Sequence, residues 1–192
     1  MTSRSPSTEL ERVLEESQRL GFLGERPIPE VIDHARTFVV PLEGVTGTVI
    51  DLGSGGGVPG LVIAHDRPDL AVVLADRRTK RTDFLRRVVS RLGWTDRVSV
   101  VTDDVERLIV RMPNHFDAVV ARGFGPPEST LRMASELLDP TGVIVISEPP
   151  SGDRWRPDHV ADLGLFRLDD GSGPVSVFSA DVPRETSSPA ST

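Results

Sequence analysis

The chain has 192 residues, 38% apolar and 27% charged, with a formal charge of −7 and no cysteine. Its length suits one domain with a sizeable core, and no apolar run reaches the roughly 18 residues of a membrane span. The lack of cysteine excludes disulfides, thiol nucleophiles and cysteine-bound zinc, and it fits a reducing cytoplasm. His34, His65, His115 and His159 are too scattered for a ligand spacing such as H-E-x-x-H, so no metal is expected. The acidic balance speaks against generic nucleic-acid binding, although a local basic cluster overrides a net value.

Residues 1–7 are polar and expected to be disordered. The start, "MTSRSPSTELERVLEES", has no apolar signal core, so a cytoplasmic location is expected. Thr8 and Glu11 read as a capping box that opens a helix ending at Gly21. "PEVIDHARTFV" reads as a second helix, with Val31, Ile32, Ala35 and Phe38 on one side. Together they make an N-terminal helical segment over 8–40. From residue 41 to 181 short β-branched runs alternate with amphipathic segments. "TVID", "AVVLAD", "VSVV", "FDAVVA" and "GVIVIS" are continuous enough to be buried on both faces. Helices are expected at Pro59–Ala64, Thr79–Leu92, Val105–Arg111 and Glu128–Leu138, which makes a parallel sheet with helices on both faces. "LFRLDD-GSG-PVSVFSA" then reads as two strands joined by a turn too short for a parallel return. The expectation is an α/β, Rossmann-like sheet of seven strands, mostly parallel, closed by a C-terminal antiparallel hairpin. The tail over 182–192 is expected to be flexible.

The densest signal is "DLGSGGGVPG", residues 51–60. A P-loop is excluded, because no Lys-Ser/Thr pair follows the glycines. Gly55, Gly57 and Gly60 fit G-x-G-x-x-G, with Asp76 ending the next strand where a ribose-binding acid is expected. Asp51, Gly53, Gly55 and Gly57 also fit D-x-G-x-G-x-G, the register of an S-adenosylmethionine site. In that register Asp51 would stand near the cofactor's ammonium group, and Asp76 would hold the ribose in either case. A ligand-free turn is the bland alternative, with Pro59 a first-turn residue of the helix. The terminal hairpin favours the methyltransferase layout, since dinucleotide folds usually continue with another parallel strand.

Residues 45–147 resemble the bacterial small-subunit ribosomal RNA guanine-N7 methyltransferases, formerly called glucose-inhibited division protein B. The likeness is carried by "VIDLGSGGGVPGLVIA", "LADRRTKRTDFLRRVVSRLG", "DDVERL" and "FDAVVARGF", in that order and spacing. It implies a class I S-adenosylmethionine-dependent fold. The implied cofactor site comprises Asp51, Gly53, Ser54, Gly55, Gly57, Val58, Asp76, Arg77, Asp104, Val105, Glu106 and Arg122. Lys80, Arg81, Arg122 and Phe124 would meet the substrate, ribosomal RNA or the small subunit itself. Blander roles are an apolar face for Val105, a solvated charge for Glu106, and a pairing of Arg122 with Asp117 or Asp76. The sequence departs from the family at Asp104, where an arginine is usual, and at Glu148-Pro149-Pro150, in place of Lys-Gly. The family's amino-terminal Trp-Asn and Asn-Leu-Thr signature is also missing. Two of these changes add negative charge on the RNA side, which keeps a small-metabolite methyltransferase in view. An NAD(P)-binding oxidoreductase or a non-catalytic cofactor-binding module are further alternatives.

Arg77, Arg78, Lys80, Arg81, Arg86, Arg87 and Arg91 crowd into one segment and hold nearly a third of the 22 basic residues. They read either as phosphate contacts for RNA or as a solvated helix face. Lys80, Arg87 and Arg91 are expected to share a side. Guanine N7 carries a lone pair and no proton, so methyl transfer to it needs alignment and no general base. No side chain is therefore assigned as catalytic. Phe124 is placed to stack on a base, and a monomer is expected.

Overall fold

A computed structural model of the protein describes residues 6–149, 151 and 154–180. Five strands run parallel: β1 (Thr48–Leu52), β2 (Ala71–Asp76), β3 (Val98–Thr102), β4 (Phe116–Ala121) and β5 (Leu138–Ser147). The hairpin adds β6 (Phe166–Arg167) and β7 (Val175–Ser179), and β7 runs antiparallel to both β5 and β6. The sheet order is β3-β2-β1-β4-β5-β7-β6. A dinucleotide-binding sheet would extend beyond β5 with a parallel strand; insertion of β7 between β5 and β6 makes this the class I methyltransferase fold.

Period-two alternation gives each strand two apolar faces. Val49, Val72, Leu74, Ala118, Val120 and Val145 face one helical layer: α1 (Pro6–Arg19), α2 (Ile28–Arg36), α3 (Gly60–Asp66) and α4 (Thr79–Arg91). Ile50, Leu52, Ala75, Val119, Ala121, Ile144, Ile146 and Phe178 face the other: α5 (Val105–Arg111), α6 (Pro127–Leu137) and α7 (Pro157–Asp162). Leu10, Val13 and Leu14 of α1 belong to the same apolar cluster as the sheet residues they cover, so the N-terminal helices share the core of the sheet.

Several boundaries differ from the sequence reading. Helix α1 begins at Pro6, which puts Thr8 inside the helix rather than at its cap and takes Pro6 and Ser7 out of the segment expected to be disordered. The remaining residues of the two expected loose ends, 1–5 and 182–192, lie outside the described residues. Helix α2 stops at Arg36, and Val40–Leu42 form a short 3-10 turn. Pro59 is the N-cap of α3, one position before its first helical residue. Helix α7, opened by Pro157, was not expected.

The turn from β1 into α3 is fixed from below and from behind. Strand parity sends Asp51 toward the α1–α4 layer, where it is 1% exposed. Its Oδ2 accepts the amide of Gly60 at 3.0 Å, and its Oδ1 has no hydrogen-bond partner. A side chain at Gly60 would place its Cβ 2.6 Å from that Oδ2 and drive into Leu74, so glycine lets α3 start directly over the carboxylate. Ser54 donates its amide to Ala75 O and its hydroxyl to Asp51 O, both at 2.9 Å. Behind the loop, the buried Ser17 of α1 donates to Gly56 O at 2.9 Å, and Glu16 pairs with Arg91 of α4 at 2.9 Å.

Burial pushes the Asp51 carboxyl from 3.8 up to about 7, opposed mainly by the Gly60 amide. The unfolded chain gives up this proton near 3.8 and the folded chain near 7, so the group's stabilisation is full below 3.8 and is lost as pH rises to about 7. Each pH unit in that window removes up to ~1.4 kcal/mol. Asp51→Asn should therefore gain in urea stability relative to wild type as pH rises, and level off beyond about 7. A difference independent of pH would mean that the carboxyl is ionised throughout.

Candidate active site

A cavity of about 450 Å³ opens at the C-terminal ends of the central strands. It lies where the strand order reverses between β1 and β4, the place where open α/β sheets take ligands. Each strand delivers a residue as it ends. Gly53 follows β1, Asp76 closes β2, Asp103 follows β3, and Gly123 and Phe124 follow β4; all line the cavity. Arg77, Arg78 and Arg81 come from the entry into α4, and Asp104, Val105 and Glu106 from the entry into α5.

Asp76 is the best-held group in the cavity and is only 6% exposed. Its Oδ2 accepts the Gly55 amide at 3.0 Å and a looser contact from Arg81 at 3.4 Å, while Oδ1 accepts the Arg78 amide at 2.8 Å. Gly53 adopts φ +69, and a Cβ there would lie 2.7 Å from Phe124 Cδ2. The Phe124 ring thus sits directly on the glycine, which only a residue without a side chain permits. Asp104 has extended backbone geometry at the N-cap of α5, which turns Val105 and Glu106 into the cavity as the first helical residues.

The expected cofactor residues divide accordingly. Gly53, Asp76, Arg77, Asp104, Val105 and Glu106 line the cavity together with Arg81 and Phe124. The others build the loop behind it. Asp51 is turned to the Gly60 amide and does not reach the cavity. The Ser54 hydroxyl is occupied by Asp51 O, and the Gly55 amide by Asp76. Gly57 donates to Ser54 O at 2.7 Å and accepts from Leu61 N at 2.8 Å. Val58 is buried and offers its carbonyl to Arg122 Nε at 3.2 Å. Arg122 therefore ties the end of β4 to the loop and is not among the residues that line the cavity. It pairs with neither Asp117, which accepts the Thr48 amide at 2.7 Å, nor Asp76. Burial lowers the Arg122 pKa, opposed by the charge of Asp51. Burial and the charges of Arg122 and Arg26 likewise hold the His34 imidazole below 6.5. Lys80 lies outside the cavity, on an adjoining one.

Asp103, Pro126, Ser129 and Met133 also line the cavity without having been singled out. For Asp103 the signal was present, since it follows β3 as Arg77 follows β2; the α6 residues had none. In the basic segment, Arg86 is engaged by Asp83 and Thr102 Oγ1, and Arg91 by Glu16, so Arg91 does not join Lys80 and Arg87 as a free face. Arg77, Arg78, Lys80 and Arg87 have no ion pair among the described residues. Glu148, read above as negative charge on the RNA side, has a side chain only 2% exposed and is faced by Arg154 Nε at 3.4 Å and by the Trp155 indole N–H. Its charge is balanced internally; Pro150 lies outside the described residues. Among the described residues no helix is long and apolar enough to cross a membrane, and no three His, Asp or Glu side chains group to hold a metal ion.

Comparison with known proteins bears on the same region. A family model described as "rRNA small subunit methyltransferase G" matches residues 10–148. The ribosomal RNA small subunit methyltransferase G of Acidothermus cellulolyticus is 38% identical over 131 residues, covering 68% of this chain and 55% of that protein. The chain spans about half to three-fifths of the length of such relatives. Among solved structures, a putative S-adenosyl-L-methionine-dependent methyltransferase from Methanococcus maripaludis superimposes with a TM-score of 0.61 at 15% identity, covering 96% of this chain and 98% of that one. One from Thiobacillus denitrificans, in complex with S-adenosyl-L-homocysteine, gives 0.55 at 20% identity, covering 71% and 65%. At such identities the structures speak for the fold alone. With its sheet order, its glycine turn and the match over residues 10–148, the chain belongs to the GidB family, rRNA small subunit methyltransferase G.

Proposed function

We propose that the chain is an S-adenosylmethionine-dependent methyltransferase that modifies guanine N7 in small-subunit ribosomal RNA, acting as a cytoplasmic monomer. The observation that carries this reading is Asp76, a buried carboxylate at the head of β2 facing a cavity of about 450 Å³. That volume is within the ~300–1,000 Å³ usual for small-molecule sites. A carboxylate accepts at about four lone-pair positions, and Asp76 has two firm donors and one loose one. A ribose hydroxyl fits by taking over the loose Arg81 contact. Val105 and Met133 supply apolar walls for a base. Asp104 and Glu106, which hold no ion pair among the described residues, put two carboxylates on the α5 side for a cationic sulfonium or ammonium group, while Arg77, Arg78 and Arg81 line the β2 side and Asp103 is taken up by Arg111.

When bound, S-adenosylmethionine supplies a methyl group on a positively charged sulfur. Because guanine N7 offers its lone pair directly, the residues here have no proton to move, and their work is to align and to exclude water. Asp76 would hold the ribose, Val105 and Glu106 would border the base, and Arg77 and Asp104 rim the cavity. Phe124, seated on Gly53, would present a ring to the acceptor base. Asp51, Ser54, Gly55, Gly57, Val58 and Arg122 would act at one remove, by holding the loop that carries Gly53. Arg77, Arg78, Lys80 and Arg87 provide uncommitted cations for phosphates, which position RNA without reading its bases.

Two measurements test the proposal. In calorimetry, wild type should bind S-adenosylhomocysteine, and Asp76→Ala should weaken it by ~1.5–3 kcal/mol, the usual loss of hydrogen bonds to a charged group; unchanged affinity would put the ribose elsewhere. With tritiated S-adenosylmethionine and small subunits from a strain lacking the modification, label should appear as N7-methylguanine. Binding of the cofactor without any transfer to RNA would turn the reading toward a small-molecule acceptor.

A further inference from the structure

A second cavity, of about 400 Å³, adjoins the first and shares two of its residues, Arg78 and Arg81. Lys80 lines it from α4, and Leu20 and Phe22 line it from the turn after α1. We propose that it is a nucleotide site, binding the phosphate and base of an RNA residue beside the acceptor guanine; this rests on the reading of the protein as an RNA methyltransferase.

The composition of the walls carries the inference. No carboxylate lines the cavity, although the chain has a net charge of −7. Three acids on the adjoining elements are committed elsewhere: Glu16 to Arg91, Asp83 to Arg86, and Asp76 to the Gly55 and Arg78 amides, while Asp104 and Glu106 line the first cavity. Arg78 and Lys80 hold no ion pair among the described residues, so two cations face an open cavity uncompensated. The opposite wall is apolar, and Leu20 is left 49% exposed there. Phe22 is fixed edge-on against Phe84, with ring centroids 5.6 Å apart, so this wall is anchored to the core under α4. A small inorganic anion has no use for an apolar wall, and an apolar ligand has none for two bare cations. A nucleotide satisfies both, with its phosphate on Lys80 and Arg78 and its base against Leu20 and Phe22. Because Arg78 and Arg81 also border the first cavity, the strand would cross from one to the other over these two side chains.

The test is fluorescence anisotropy of a labelled single-stranded oligoribonucleotide at several salt concentrations, with calorimetry of S-adenosylhomocysteine on the same samples. Lys80→Ala should weaken RNA binding about 5-fold and flatten the log–log salt slope by about 0.7, one phosphate contact to a single strand. Leu20→Ser should weaken binding about 3-fold and leave the slope unchanged, because it removes contact and no charge. Both should leave S-adenosylhomocysteine affinity at the wild-type value. Arg132→Ala, an equal loss of charge on the opposite layer, where Arg132 pairs with Glu136, should have no effect. Equal effects of Lys80→Ala and Arg132→Ala, no effect of Leu20→Ser, or displacement of RNA by polyglutamate as readily as by unlabelled RNA would overturn the site. Wild type that binds S-adenosylhomocysteine but no RNA would also overturn it, with the methyl-donor reading intact. The expected variant pattern without any S-adenosylhomocysteine binding would remove the methyl-donor reading and keep the site.

Discussion

The hydrogen bond from the Gly60 amide to buried Asp51 holds together the feature on which the site depends. It joins the end of the central strand to the first turn of α3 across a loop rich in glycine, and it sets where that loop can run. Several contacts beside the cavity run to this loop. Gly55 reaches across to Asp76, Gly53 lies under Phe124, and Val58 turns its carbonyl back to Arg122. The carboxylate is paid for in desolvation, since one of its oxygens has no partner. An acid is tolerated there because it accepts an amide that starts a helix and because the charge of Arg122 acts on it.

Two departures from the family pattern fall differently once their surroundings are known. Glu148, in place of a basic residue at the end of β5, is matched by Arg154 and by the Trp155 indole. A charge reversal in the sequence thus becomes a local ion pair. Asp104, in place of an arginine, remains on the wall of the cavity, where no ion pair among the described residues takes up its charge. The basic face of α4 is also smaller than its composition suggests, because internal acids take up Arg86 and Arg91.

The fold was legible because its signals are periodic. β-branched runs separated by amphipathic segments dictate a covered parallel sheet, and a connection too short for a crossover, residues 168–174, forces the closing hairpin to be antiparallel. Asp76 was legible for the same reason, as the last residue of a buried strand. Asp51 and Arg122 were legible as important, but the contacts they make were not. Strand parity alone sends Asp51 to the face of Val49, beneath the loop, whereas motif spacing suggested the cavity. For Arg122, position at a strand end does not say on which side of the loop a long side chain passes. Met133 and Ser129 left no mark in the sequence, because they reach the cavity only through the docking of α6. Leu20 and Phe22 were hidden too, as ordinary residues of a turn brought beside Arg78 and Lys80 by tertiary packing.

The hydroxyl of Ser17 reaching into the glycine loop ties the first helix to a site formed by residues far along the chain. Such a tie works in both directions, because a coupling free energy is reciprocal. Ligand that rigidifies the loop must also hold α1 down, and anything that lifts α1 must loosen the loop. Among the described residues α1 contributes nothing to the wall of the cavity, yet it is joined to the loop that borders it.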